Sequence, residues 1–387
     1  MLRIAIFTDI SPKHLNTSEN LERLISYFSR HNISFQLFLP TTHSLTSENQ
    51  TRTCSFQSFP LNAHYRFSLP NATKIRRRLN EFQPDFIHVL TPFTLGLYGR
   101  QYAKRTNLPL IGYYMLNIQP DMDHSNVPFL RSLFDKYVQW FYRPFHKLLV
   151  PNFLTKHTLE GNNFPNIAVC SKGVELDVFH PAYERFDVKI KYNIKRPYIL
   201  TYSGELTAED NVEAIFTIAR YLPPHIKHKV HWLVVGDGPL KEVFQREALE
   251  HMTFTGSLQK EDRARVYAAS DLMICPSSKP RDDMLLEAFA TATPAIVSEA
   301  QQSDIVKHGE NGFLCNLENL DQFSEYITLC LEHSDLRERL GTMARNHALT
   351  KGWDQVFDHL MVHYTQLIEE TKRSRTINIE KALRKAP

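Results

Sequence analysis

Charged side chains follow apolar runs at two places in this chain. Between Asp271 and Val297 the sequence DLMICPSSKPRDDMLLEAFATATPAIV sets Lys279 and Arg281 in a loop and Glu287 eight positions after Lys279, in a short helical stretch. After the apolar run Tyr198–Tyr202, the stretch GELTAEDN carries Glu205 and Asp210. Lysine and arginine hold anions through charge-assisted hydrogen bonds, whereas a carboxylate beside an anion repels it. Turns at strand ends accompany both groups: Ser203-Gly204-Glu205, Gly236-Asp237-Gly238-Pro239, Thr255-Gly256-Ser257, Pro276-Ser277-Ser278-Lys279 and the turn from Lys307 to Gly312. Glycine in such turns lets backbone amides approach a ligand. One more turn, Asp9–Thr17, precedes a helical pattern with Leu21, Leu24, Ile25 and Phe28 on one face, a place where a helix N-terminus can bind phosphate. It contains no glycine, so the plainer expectation is an N-cap formed by Asn16 or Thr17 with Glu19.

Short apolar runs alternating with amphipathic helices hold these residues, the pattern of parallel sheets with crossover helices. The expected strands of the first half are Arg3–Thr8, Phe35–Leu39, Phe86–Leu90, Leu110–Tyr114, Leu148–Val150 and Ile167–Cys170. Those of the second half are Tyr198–Tyr202, Trp232–Val235, Met252–Thr255, Leu272–Cys275, Ala295–Ser298 and Gly312–Cys315. The implied fold is α/β, with two doubly wound parallel-sheet domains whose ligands bind at the carboxyl ends of the strands, in a cleft between the two. Expected spans are 1–182 and 183–352, with His180–Arg185 as linker, 353–372 for a terminal amphipathic helix and 373–387 for a frayed basic tail.

Composition narrows the function classes. A chain of 387 residues suits two domains, and no apolar run reaches the roughly 20 residues of a membrane helix. The opening MLRIAIFTD reads as a strand rather than a signal peptide, so a cytoplasmic location is expected. Cys54, Cys170, Cys275, Cys315 and Cys330 are odd in number and set in apolar contexts, as buried free thiols are. The 18 histidines form no ligand-spaced cluster, and no metal is expected. A net charge of +3 is too mild to imply nucleic acid. Thirteen glycines are about half the usual share of roughly 7%, few for a protein that cradles phosphates. The run Lys74–Leu79, near Arg66 and Phe67, and the aromatic stretch Phe129–Leu149, with Trp140, Phe141, Tyr142, Arg143 and Lys147, could meet anionic head groups. A charged helix face and a core helix are the competing readings.

Nearly the whole chain resembles the family 4 (group 1) glycosyltransferases of GT-B fold. The resemblance rests on IAIFTD at Ile4–Asp9, PDFIHV at Pro84–Val89, SKGVELDVFHP at Ser171–Pro181 and VVGDGP at Val234–Pro239. It continues through FTG at Phe254–Gly256, YAASDLMICPS at Tyr267–Ser277, LLEAFA at Leu285–Ala290 and IVKHGENGFL at Ile305–Leu314. It implies two Rossmann-like domains, a C-terminal helix that returns to the first, and metal-independent, retaining, hexosyltransferase-type transfer from a nucleotide-sugar donor. The second domain would bind the donor through Gly204, Gly236, Gly238, Pro276, Lys279, Arg281 and Glu287, the last holding the nucleotide ribose. The nucleotide sugar would be a substrate, with no cofactor. The acceptor would be a carbohydrate or a lipid-linked molecule of cell-envelope polysaccharide or glycolipid biosynthesis, met at the inner face of the membrane.

Several positions depart from the family pattern. An arginine and a lysine that neutralise the leaving diphosphate are replaced by Glu205 and Asp210, and the first of two donor-site glutamates by Lys279. A histidine near the transferred sugar is replaced by Met115, which cannot donate a proton. Glycines give way to Thr17 and to Gln301-Gln302. Asp282 or Asp283 is a natural N-cap for the helix of Glu287. With the signs exchanged, Lys279 or Arg281 could pair with Glu205 or Asp210, or bind an altered anionic donor. Two functions follow: a transferase with a modified donor site, or a non-catalytic relative serving as a partner-binding or regulatory subunit, for instance of an active glycosyltransferase.

Overall fold

The computed structural model describes residues 2–10, 15–41, 52–61, 65–114, 128–161, 164, 166–208, 211–278, 281–301 and 304–383; at 15–18, 128–131, 301 and 374–383 it describes the backbone alone. The chain divides into two units, Met1–Ser171 with Phe357–Pro387, and Lys172–Val356.

In the first unit, seven parallel strands take the order β3-β2-β1-β6-β7-β8-β9. They are β1 (Arg3–Phe7), β2 (Ser34–Pro40), β3 (Thr53–Phe56), β6 (Phe86–Val89), β7 (Leu110–Tyr113), β8 (Lys147–Val150) and β9 (Ile167–Val169), with β4 (Ser58–Pro60) and β5 (Arg66–Ser68) forming a separate antiparallel hairpin. The helices are α1 (Leu15–Arg30), α2 (Ala72–Phe82), α3 (Thr94–Thr106), α4 (Pro128–Tyr142) and α5 (Phe153–Glu160). Central strands such as Ile4–Phe7 and Phe86–Val89 are buried throughout, which is why they read as continuous rather than alternating apolar runs. Strand order reverses between β1 and β6, which pair with the register Ile4 to Phe86.

The second unit holds six parallel strands in the order β12-β11-β10-β13-β14-β15. These are β10 (Tyr198–Ser203), β11 (Val230–Val235), β12 (Met252–Gly256), β13 (Leu272–Cys275), β14 (Ala295–Ser298) and β15 (Gly312–Cys315). Its helices are α6 (Arg185–Lys191), α7 (Glu213–Tyr221), α8 (Pro224–Lys227), α9 (Lys241–Arg246), α10 (Lys260–Ala269), α11 (Asp282–Ala290), α12 (Asp321–Glu332) and α13 (Ser334–Leu349). Here the order reverses between β10 and β13. One apolar cluster, with Tyr202, Ile215, Trp232 and Phe323, covers one face of the sheet, and another, with Ile199, Tyr267, Met273 and Phe289, covers the other.

The final helix, α14 (Trp353–Leu383), starts in the second unit and from Phe357 onward belongs to the first. There Tyr364 is fully buried, its hydroxyl 2.7 Å from Nδ1 of His88 and its ring 4.7 Å from that of Phe86. The Tyr27 hydroxyl donates to Asp358 at 2.5 Å, and Lys147 Nζ donates to Gln366 at 3.2 Å.

Each expected strand has a counterpart, and β3, β4 and β5 are additional. The segment expected to be a linker, His180–Arg185, does not mark the division between units. Val174 and Phe179 are buried in the core of the second unit, so the chain has already joined that unit by Lys172. Helix α14 continues past the expected end at 372 to Leu383, since the Lys- and Arg-rich continuation holds no glycine or proline before Pro387. Helix α1 begins at Leu15, which places Asn16 and Thr17 inside its first turn rather than at its cap. All five cysteines are buried and outside any disulfide.

Candidate functional site

Three turns meet at the carboxyl ends of β10, β11 and β12. Gly204 N donates to Val235 O at 3.0 Å, Leu206 N to Asp237 O at 2.9 Å and Gly236 N to Gly256 O at 3.0 Å. The approach is too close for side chains: a Cβ on Gly236, whose φ is +141°, would stand 1.8 Å from Gly204 O, and one on Gly238 would stand 2.5 Å from Leu206 O. Asn211, in left-handed conformation at φ 53°, donates from Nδ2 to Pro276 O at 3.1 Å, linking this group to the end of β13. Gly204, Gly236, Gly238 and Pro276 thus share one edge of the sheet, at its reversal point.

Glu287 lies on α11, and its partner comes from α10. Arg263 Nε donates to Oε2 at 2.7 Å and Nη2 to Oε1 at 2.6 Å, a two-pronged match of guanidinium and carboxylate. The side chains are 25% and 15% exposed, so the pair is largely withdrawn from water. Burial pushes the Glu287 carboxyl upward while the guanidinium opposes that shift. The Arg263 guanidinium is held protonated against its own burial by Glu287. One turn along α10, the Tyr267 hydroxyl donates to Ser203 Oγ at 2.7 Å, which ties α10 to the end of β10, and its backbone carbonyl accepts from Thr293 Oγ1, just before β14. Burial pushes the Tyr267 phenol well up, so it stays a neutral donor.

Other cations of this unit also carry carboxylate partners. Lys172 Nζ is 2.7 Å from Asp283 Oδ2, Lys260 Nζ is 2.6 Å from Glu175 Oε1, and Lys241 Nζ is 2.8 Å from Asp237 Oδ2. The Lys241 contact and the Gly238 amide hold the Asp237 carboxyl below its usual range. Glu205 is exposed, and its backbone carbonyl accepts from the Tyr202 hydroxyl at 3.1 Å. The cap expected of Asp282 or Asp283 is not formed that way. Arg281 occupies the N-cap position of α11 without a side-chain cap bond, both aspartates fall in the first turn, and Asp283 faces Lys172. Met115, Asp210, Lys279 and Gln302 lie outside the described residues, and with them the pairing expected of Lys279 and Asp210. Among the described residues, no group of three or more His, Cys, Asp or Glu stands where it could hold a metal ion.

Sequence reasoning missed Arg263 and Lys172. Arg263 sits four residues before Tyr267, on a helix whose buried positions include Ala264, Val266 and Tyr267. A cation on such a stripe demands a buried anionic partner, and that demand was the available signal.

In the first unit, Asp9 at the end of β1 finds its partners at the start of α3. The buried Asp9 carboxylate accepts from Thr94 Oγ1 at 2.9 Å, Thr91 Oγ1 at 3.2 Å, Leu95 N at 3.0 Å and Gly96 N at 3.4 Å. It therefore satisfies the free amides at the start of α3, across the strand-order reversal, where an outside anion would otherwise bind. Burial raises its carboxyl despite these bonds.

Two family models match: Glycosyltransferase Family 4 over residues 20–178 and Glycosyl transferases group 1 over residues 197–333. The chain is 24% identical over 312 residues to a GDP-mannose-dependent alpha-mannosyltransferase of Corynebacterium glutamicum, covering 79% of this chain and 72% of the relative. It is 23% identical over 368 residues to the sulfoquinovosyl transferase of Arabidopsis thaliana, covering 91% and 71%. Among solved structures, the sucrose-phosphate synthase of Thermosynechococcus elongatus superposes with a TM-score of 0.72 at 17% identity over 96% of this chain and 100% of that one. The Anabaena protein HepE in complex with UDP gives 0.72 at 15% identity over 95% and 100%. These structural likenesses establish the fold.

Proposed function

The chain belongs to the family 4, group 1 glycosyltransferases, and from that premise we propose that it transfers a sugar, with retention at the anomeric carbon, from a nucleotide-sugar donor to a carbohydrate or lipid-linked acceptor. The observation that carries this reading is the Arg263–Glu287 pair, set in the same unit as the turns of Gly204, Gly236 and Gly238. Each Glu287 oxygen takes one hydrogen bond from Arg263 and keeps a lone pair for another donor, as a ribose diol would supply. The guanidinium fixes the carboxylate's orientation, and the tight glycine turns leave the strand ends bare for a nucleotide. Relatives whose names specify GDP-mannose or glycolipid products support the donor and acceptor classes. The work would be done at the inner face of a membrane.

The second reading, a non-catalytic subunit that binds a partner glycosyltransferase, draws support from the same charges. Lys172, Lys241, Lys260 and Arg263 are each matched to a carboxylate of the chain, and the resemblance sets Glu205 at the position of a phosphate-binding arginine. Calorimetric titration with UDP-, GDP- and ADP-sugars separates the two readings. Binding that Glu287→Gln weakens about tenfold or more, with release of the nucleoside diphosphate on adding acceptor, supports transfer. Silence with all three donors removes transfer and leaves the subunit reading.

A further inference from the structure

Helices α3 and α4 both pack into the core of the first unit, α3 through Ala103 and α4 through Val138, Phe141 and Tyr142, and they meet again on their outer side. There the Arg100 guanidinium lies over the Trp140 ring, 4.0 Å from its centre, and Nη2 donates to the Trp140 carbonyl at 3.2 Å. Tyr137, anchored by its hydroxyl to the Pro92 carbonyl, stands 5.8 Å from the same ring. One face of the indole is thus covered and braced. Trp140 is nevertheless 51% exposed, which leaves the other face to water.

The charges around this ring are of one sign. Helix α3 carries Arg100, Lys104 and Arg105 and no carboxylate. Arg100 and Lys104 share a side at the i,i+4 spacing, as do Lys136 and Trp140 on α4, and both lysines are exposed. Asp135, the one carboxylate of α4, stands five residues before Trp140, about 140° around the helix from it. A flat ring with one open face suits the C–H face of a pyranose, whose polarised hydrogens are drawn to the π electrons. Unopposed cations beside the ring suit acidic substituents on that sugar. A bilayer fits less well, because insertion takes several apolar groups together. Among the described residues of α3 and α4, Leu133 is the one other large apolar side chain turned to water.

We propose that the outer side of α3 and α4 is a subsite for an acidic saccharide chain, with a sugar ring stacked on the open face of Trp140 and its anionic groups met by Arg100, Lys104 and Lys136. The proposal rests on the carbohydrate branch of the acceptor class, yet it is tested with neither donor nor transfer, so the two can fail separately. The full chain is titrated calorimetrically with two acidic probes, oligogalacturonate and a hyaluronan oligosaccharide, and with a neutral maltooligosaccharide. Binding of at least one acidic probe is expected, weakening as salt is raised, and little binding of the neutral one. Trp140→Ala should lower the affinity about tenfold, and Trp140→Phe, which keeps a flat ring beneath the guanidinium, should stay within about threefold of wild type. Lys104→Gln with Lys136→Gln, both exposed, should lower it about tenfold while the melting temperature holds, which separates lost binding from lost folding. Absence of binding by both acidic probes, equal affinity for the neutral probe, or wild-type affinity in Trp140→Ala would overturn the proposal. So would equal affinity for oligothymidylate, since the face would then hold stacking polyanions in general rather than a saccharide.

Discussion

Replacing Arg263 by methionine keeps much of the apolar stem of the side chain but removes the guanidinium that meets Glu287 with two hydrogen bonds. Breaking a buried ion pair from one side costs about 3–5 kcal/mol, since the remaining charge has neither water nor a partner. The 15% exposure of Glu287 lets some water reach the carboxylate, which lowers the expectation to about 2–4 kcal/mol. Urea unfolding of the full chain, followed by the fluorescence of the buried Trp232 in the second unit, should place the variant's midpoint roughly 1 M or more below wild type. The double variant Arg263→Met with Glu287→Leu should recover most of that loss, because two apolar groups of similar size leave no charge behind. A pH series adds an independent check. Without Arg263 the Glu287 carboxyl has a folded-state pKa above its unfolded value, so its penalty is complete above the folded value and fades as pH falls toward the unfolded one. The gap between variant and wild type should therefore narrow on going from neutral pH toward pH 5. A midpoint unchanged within error, or a double variant no better than the single one, would refute the claim that the pair is a withdrawn, mutually dependent unit.

Gly236→Ala should cost about 3 kcal/mol or more, or leave the second unit insoluble, because its Cβ would overlap Gly204 O at 1.8 Å; Gly309→Ala, at φ +76° with nothing within 4 Å, should cost only about 1–2 kcal/mol, and thermal melts of the two compare clash with strain alone. His88 is buried with its pKa pushed down to about 3, so the folded state binds fewer protons than the unfolded one between that value and about 6.5. Stability should consequently fall by about 1.4 kcal/mol per pH unit below pH 6.5 on account of this residue, a slope that His88→Phe removes in acid-unfolding curves. Asp9→Ala should destabilise the first unit by about 1–3 kcal/mol in urea unfolding, since the buried donors Leu95 N and Gly96 N would lose their acceptor; a neutral outcome would refute the capping role given to Asp9.

The sheets were legible because their strands are buried on both faces, and runs such as Ile4–Phe7 and Ala295–Ser298 need no helix-like spacing to be read. Strands β3, β4 and β5 escaped because TCSF, SFP and RFS are three or four residues long and mix serine with aromatics, so neither a continuous run nor a clean alternation emerges. At the site, the order of motifs singled out Glu287, but its partner stands 24 residues away on another helix, a distance over which pattern carries no signal. Asp9 misled in a similar way. It precedes α1 in sequence, yet its carboxylate caps α3, because the reversal of strand order brings the start of that helix to the end of β1.

The assignment of residues from Phe357 onward to the first unit has a consequence for biosynthesis. The second unit is one uninterrupted stretch, Lys172–Val356, inserted in the chain of the first. A ribosome thus delivers the whole second unit while the first still lacks the helix bearing Tyr364, whose hydroxyl meets His88 and whose ring packs on Phe86. During that interval Phe86 and His88 lack the aromatic ring that packs on them in the finished fold. The unit translated second is the one that can fold first, and the unit translated first is completed by the last helix of the two.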